Sequence, residues 1–246
     1  MHDEVASHTP RGVDTLFLSR LLRRPRGRAL LLTMLADAET SDEGAVFAAL
    51  HERVDDPELR RLTRRHADDE LRHERMLRAC AARQGVSPAP VLPPELSVTH
   101  CIDAHTGGIA TGFLAGRSSV MEACLLLQVI EERAVRHFPR VVAVLRRFDP
   151  ESAAVLEQVW RDECRHVGYA HAVARRYAPS PEALARTLAA IRTAERRAFA
   201  EFDAALLRTA IEGGWLEAGA LERWAWRGIA ALGRALPGGV TQASMP

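Results

Sequence analysis

The chain has 246 residues, 33 basic and 32 acidic side chains, a formal net charge of +1 and 47% hydrophobic residues. That length fits one domain over 1–246, and the charge balance gives no bulk electrostatic argument for nucleic acid or membrane as a partner. No run of about 18 apolar residues is present to cross a bilayer, and the start of the chain shows no secretory leader pattern. A cytoplasmic protein is therefore expected. Every basic residue is arginine, which we read as genomic base composition rather than function.

In chain order, residues 1–13 read as a loose polar segment and 14–23 as a short leading helix. A first long helix is expected from about 27 to 54, with Leu32, Leu35, Val46 and Leu50 forming one apolar stripe. Glu39 falls in the middle of that stripe and Glu43 at its edge, one turn on. Asp56-Pro57-Glu58 then starts a second helix, with Asp as N-cap, Pro in the first turn and an acid beside it. That helix runs to about 83, where Gly85 and prolines at 88, 90, 93 and 94 stop it. A long connection over 84–117 leads to a third helix at about 118–147. Asp149-Pro150-Glu151 starts a fourth, which runs to about 177.

A fifth helix, about 181–211, is amphipathic through Leu184, Leu188, Ile191, Phe199, Phe202 and Leu206, and Gly213-Gly214 breaks it. The tail, 215–236, carries Trp215, Trp224, Trp226, Ile229 and Leu232. It is expected to form one or two short helices on the rest of the chain or on a second copy, so a homodimer is one expectation. No strand pattern is present, and the fold class is all-α.

The informative feature is a duplication. Asp69-Glu70-Leu71-Arg72-His73 returns 93 residues later as Asp162-Glu163-Cys164-Arg165-His166. Glu and His at i and i+3 share one helix face, so each copy aims a carboxylate and an imidazole at one point. A lone Glu-x-x-His arises by chance in Arg-rich helices. A duplicate with the Asp, the Arg and the Asp-Pro-Glu helix start in the same register is specific.

Each copy needs a further carboxylate from a partner helix. Glu39 lies about as far before the Asp55-Asp56 turn as Glu70 lies after it, whereas Glu43 would sit about a turn, ~5 Å, out of level. On the third helix, repeat arithmetic names Glu132 and the helical wheel names Glu131. Taking Arg133, Arg136, His137 and Arg140 as the wet face, Glu131 points inward among Cys124, Leu127, Val135 and Phe138, so the wheel is preferred. Four carboxylates in an apolar interior repel one another unless a cation neutralises them. The bland alternative pairs Glu39 and Glu131 with arginines.

Other residues carry two readings each. His66, one turn before Glu70 on the same face, is a seventh ligand or a hydrogen-bonded helix histidine. Tyr169, one turn after His166, is a residue near the metals or a packing tyrosine. His100, Asp103 and His105 in the connection mimic a metal site but are read as ordinary loop. Cys80, Cys101, Cys124 and Cys164 show no paired spacing and are read as small buried thiols.

On the paired Glu-x-x-His motifs with Glu39 and Glu131, the segment at about 27–178 resembles the ferritin-like di-iron carboxylate superfamily. The resemblance implies a four-helix bundle with one long crossover, here with a helical extension over 181–236. It implies two iron ions, or Mn/Fe, held by Glu39, Glu70, His73, Glu131, Glu163 and His166, with Glu70 and Glu163 as bridges. Asp69 and Asp162 match acids that steady the ligand imidazoles. Such a centre would activate O2 as an oxidase or monooxygenase on a small or prenyl-like substrate, with an external electron donor. Leu32, Leu35, Met76, Leu127, Val135, Phe138 and Val159 would line an apolar sheath.

Ile130-Glu131-Glu132-Arg133 followed by Phe138 also looks like the third-helix segment of the tRNA hydroxylases, so a tRNA partner is an expectation, though not the favoured one. The alternatives are a ferroxidase or peroxide-detoxifying protein and a bundle without catalysis. A rubredoxin-like four-cysteine unit is missing, and the extension exceeds a minimal ferritin.

Overall fold

A computed structural model describes residues 13–40, 43–87, 96–216, 219, 222, 224–226 and 228. Among these residues the chain forms helices and no strand. They are α1 (Val13–Leu22), α2 (Pro25–Thr40), α3 (Glu43–Arg53), α4 (Pro57–Arg83), α5 (Val98–His105), α6 (Ile109–Leu114), α7 (Val120–Leu145), α8 (Pro150–Tyr177) and α9 (Pro181–Glu212). The helix expected over 27–54 is divided into α2 and α3, with residues 41 and 42 outside those described. The side chain of Glu43 also lies outside them.

Both Asp-Pro-Glu starts behave as capping chemistry dictates. Asp56 accepts from the backbone N–H groups of Glu58 and Leu59 at 2.9 and 3.1 Å, and Asp149 from that of Ser152 at 3.0 Å. These bonds satisfy amides that have no partner inside the helix. Asp149 also accepts from the Gln84 side chain at 2.7 Å, which ties the start of α8 to the end of α4. Ser119 and Glu122 form a reciprocal capping box at the start of α7.

α7 tolerates Pro139 in its interior because a neighbour repairs the damage. Proline has no N–H, so the Val135 carbonyl loses its helical donor. The Trp160 indole of α8 donates to that carbonyl at 3.1 Å.

Side-chain pairs fix how the helices run. Glu39–His73, Asp37–Arg78 and Arg28–Gln84 pair in reverse order, so α2 and α4 are antiparallel. Gln128–His171, Val135–Trp160 and Arg146–Glu157 make α7 and α8 antiparallel. His66–Tyr169, Arg72–Asp162 and Arg83–Ser152 do the same for α4 and α8. α9 runs parallel to α7 through Glu132–Arg192, Arg133–Glu195 and the His137–Phe199 ring contact. The core between them includes Leu32, Phe47, Leu50, Leu77, Leu126, Leu156 and Val159.

Three expectations need correction here. The residues Arg133, Arg136, His137 and Arg140 form a wet face only in part. α9 covers part of it, so Arg133 is buried against Glu195 and its guanidinium lies over the Phe199 ring. The residues His100, Asp103 and His105 are on helix α5, not in an irregular loop. Asp103 accepts from the backbone of Ala110 at 2.6 Å at the start of α6, and His105 pairs with Glu201 of α9 at 3.0 Å. Cys164 is exposed, unlike buried Cys80, Cys101 and Cys124.

Trp226 is buried edge-on to Phe17 of α1, and Arg26 of α2 lies over Trp215, so these two tryptophans cover the chain's own helices. Trp224 is exposed, and the described residues at 222, 224–226 and 228 are helical. Residues 1–12, the four stop prolines, Ile229 and Leu232 lie outside the described residues. Among the described residues no helix is long and apolar enough to cross a membrane.

Candidate metal centre

Four helices deliver buried ligand-type side chains to one place. α2 brings Glu39, α4 brings His66, Glu70 and His73, α7 brings Glu131, and α8 brings Glu163 and His166. Their donor atoms fall into two overlapping groups. His66, Glu70, Glu131, Glu163 and His166 can place one donor atom each within 4.8 Å of one another, and so can Glu39, Glu70, His73 and Glu163. Glu70 and Glu163 belong to both groups.

The two repeat histidines are held alike. Nδ1 of His73 lies 3.2 Å from Glu39 and 3.3 Å from Glu163. Nδ1 of His166 lies 2.7 Å from Glu163 and 3.2 Å from Glu70. Each Nε2 turns outward to the aspartate of the other copy, His73 to Asp162 at 3.1 Å and His166 to Asp69 at 3.3 Å. Arg72 and Arg165 each pair with both aspartates. The duplicated Arg, visible in the sequence without a role, thus locks the two copies together. An acceptor on the outer nitrogen fixes ring orientation and leaves the inner one aimed at the centre.

The wheel's choice on α7 agrees with the geometry. Glu131 Oε1 is 2.9 Å from His66 Nε2, whereas Glu132 turns away to Arg192 of α9 at 2.6 Å and Gln128 at 2.7 Å. Glu39 and Glu131 face imidazoles, so the arginine pairing weighed above is not what the fold uses.

His66 is a hydrogen-bonded helix histidine, and it also lies within the cluster. Its Nδ1 bonds the Tyr169 hydroxyl at 2.8 Å, and its ring stacks on His166 with centroids 3.6 Å apart. Its Nε2 lies 2.8 Å from Glu70 and 2.9 Å from Glu131, yet neither approach has the alignment of a hydrogen bond. Glu70 Oε1 is left unsatisfied as well. Tyr169 therefore touches the centre through His66.

Electrostatics reflect the crowding of buried carboxyls and imidazoles. Burial, then the charges of Glu39 and Glu163, pushes the Glu70 carboxyl well above the usual range. Burial, then Glu163, pushes Glu131 up to about 7. Burial works against the His73 imidazolium, but Glu163 and Glu39 overcome it and raise the ring to about 10. Burial holds His66 neutral, at about 4. Asp69 and Asp162 stay low despite burial, through the imidazoles and arginines they face. The metal-free cluster must thus keep protons where divalent cations would compensate the carboxylates.

Glu131→Gln in chelator-treated protein makes this measurable. A carboxyl raised from 4.5 to about 7 adds stability below its ordinary value, and this is lost as pH rises through about 7. At pH 8 the variant is expected to exceed wild type by about 1–3 kcal/mol, and at pH 5 by little. Urea unfolding at both pH values decides it. An equal difference at the two would show that the ionised form carries no penalty.

No family model matches the chain, nor does any curated protein or solved structure. A surface groove of about 420 Å³ lies between α5, α7 and α9, lined by His105, Thr106, Glu122, Arg186 and Ile191 among others. None of the sheath residues named from the sequence lines it. Leu32, Leu127, Phe138 and Val159 are core, while Leu35, Met76 and Val135 are half-buried.

Proposed function

We propose that the cluster is a di-iron centre and that the protein is an O2-activating oxidase or monooxygenase on a ferritin-like four-helix bundle, α2–α3, α4, α7 and α8, with residues 84–117 as the crossover. The observation that carries this reading is the pair of donor groups sharing Glu70 and Glu163. Shared carboxylates suit two adjacent cations. The orphaned His66 Nε2 and Glu70 Oε1, both buried, are what such cations would satisfy.

Imidazole and carboxylate together suit iron, with Mn/Fe as the variant. Two bound ferrous ions would supply two of the electrons that O2 reduction takes, and an external donor would restore them. The chain's own work is positional. Asp69 and Asp162 hold the imidazoles, Arg72 and Arg165 hold the aspartates, and buried Phe47 packs on the His66 ring. The substrate class expected is small and apolar or prenyl-like.

Anaerobic Fe(II) titration followed by O2 consumption tests the proposal. Two irons per chain are expected, with one of them and O2 uptake lost in Glu131→Ala and both kept in Glu132→Ala. Sustained turnover of Fe(II) with O2 alone would favour a ferroxidase. Failure to bind iron would leave a structural bundle.

A further inference from the structure

The two donor groups are unequal. Apart from the shared Glu70 and Glu163, one holds His66, His166 and Glu131, and the other only His73 and Glu39. The duplication accounts for the difference. α4 reads His66-x3-Glu70-x2-His73, three ligand types on one face. The place in α8 that corresponds to His66, one turn before Glu163, is Val159, fully buried and without a donor.

His66 is also held ready. Its side chain is fully enclosed. Phe47 packs against its ring at 4.4 Å between centroids, His166 stacks on the other contact, and the Tyr169 hydroxyl meets Nδ1. A hydroxyl both donates and accepts. It can therefore accept a hydrogen bond from Nδ1–H when Nε2 gives its lone pair to a cation. A donor whose orientation is already fixed loses little freedom on binding.

On the di-iron reading above, we propose that the two positions fill in order. The position with His66, Glu131 and His166 takes the first cation, and the His73–Glu39 position takes the second and, with one protein donor fewer, keeps the more open coordination. Tyr169 acts as the positioning residue for the first.

Titration of the whole chain with Co(II) alone, followed by calorimetry and visible absorption, tests the order. Circular dichroism first establishes that each variant is folded. Wild type is expected to bind two Co(II) in steps at least about tenfold apart in affinity, with a lower-coordinate spectrum for the second. His66→Ala is expected to weaken the first step by at least about tenfold, so that the steps merge. Glu39→Ala should remove the second step and leave the first as in wild type. Tyr169→Phe should weaken only the first step, whereas a tyrosine that merely packs would move both or neither.

A His66→Ala titration identical to wild type would overturn the proposal, as would loss of the first step in Glu39→Ala. Should His66→Ala not fold, the Glu39→Ala and Tyr169→Phe titrations still decide. Two equal steps in wild type overturn the order but keep the centre. A folded wild type that takes up no Co(II) overturns both.

Discussion

Glu70→Ala is expected to empty both proposed cation positions at once. Its carboxylate is the one α4 group common to the two donor sets, and it lies 2.8 Å from His66, 3.2 Å from His166 and 3.9 Å from His73. Groups that only steady a ligand are worth about 10–100-fold in metal affinity. Loss of a shared ligand should therefore weaken both steps by more than about a hundredfold.

The same substitution should not destabilise the metal-free protein. Burial and the charges of Glu39 and Glu163 oppose ionisation of Glu70, so its removal frees the metal-free fold from holding a carboxyl protonated above its usual range. Metal content by elemental analysis and thermal melts with and without chelator measure the two effects together. Lost metal with an unchanged or higher metal-free melting temperature is the signature of a residue kept for binding. Two equivalents of retained metal would sink the shared-ligand assignment.

The second large effect lies outside the centre. Glu195→Ala is expected to cost about 3–5 kcal/mol, because it strands Arg133 in the α7–α9 interface. Glu195 is 2% exposed and Arg133 8%, and the two form a close ion pair. Burial already lowers the Arg133 guanidinium to about 10, with Glu195 the main opposing influence. Since Arg133 follows Glu131 by two residues, the pair also holds the segment of α7 that presents Glu131. Urea unfolding gives the cost. Arg133→Met with Glu195→Leu should recover most of it, since an apolar pair of similar volume needs no compensation. A cost under about 1 kcal/mol for Glu195→Ala would mean that solvent reaches Arg133.

Much of the helical order was legible from residue patterns. Asp56-Pro57 and Asp149-Pro150 start α4 and α8 as expected, and Gly213-Gly214 ends α9. The duplicated motif named two Glu-x-x-His faces, and each is buried. These are local properties. Capping needs only the next few amides, and a shared face needs only the helical period.

Other features required the folded chain. The wheel turned Glu131 inward, as the fold does, from a premise that holds only in part. The face it took as wet is partly covered by α9, but Glu131 points away from that face whether water or α9 lies there. The spacing of His66 allowed two uses. Only the approach of α7 and α8 gives it Glu131 on one nitrogen and Tyr169 on the other. Asp69 and Asp162 were legible as supports, but not that each serves the histidine of the other copy. His100, Asp103 and His105 looked like ligands without a helix, and on α5 Asp103 instead meets the first amides of α6. By itself the sequence determined where helices begin and which residue types share a face, because both depend on neighbours within a turn or two. Which faces meet, and so which carboxylate finds which imidazole, depends on contacts between residues up to about a hundred positions apart, and only helix packing decides those.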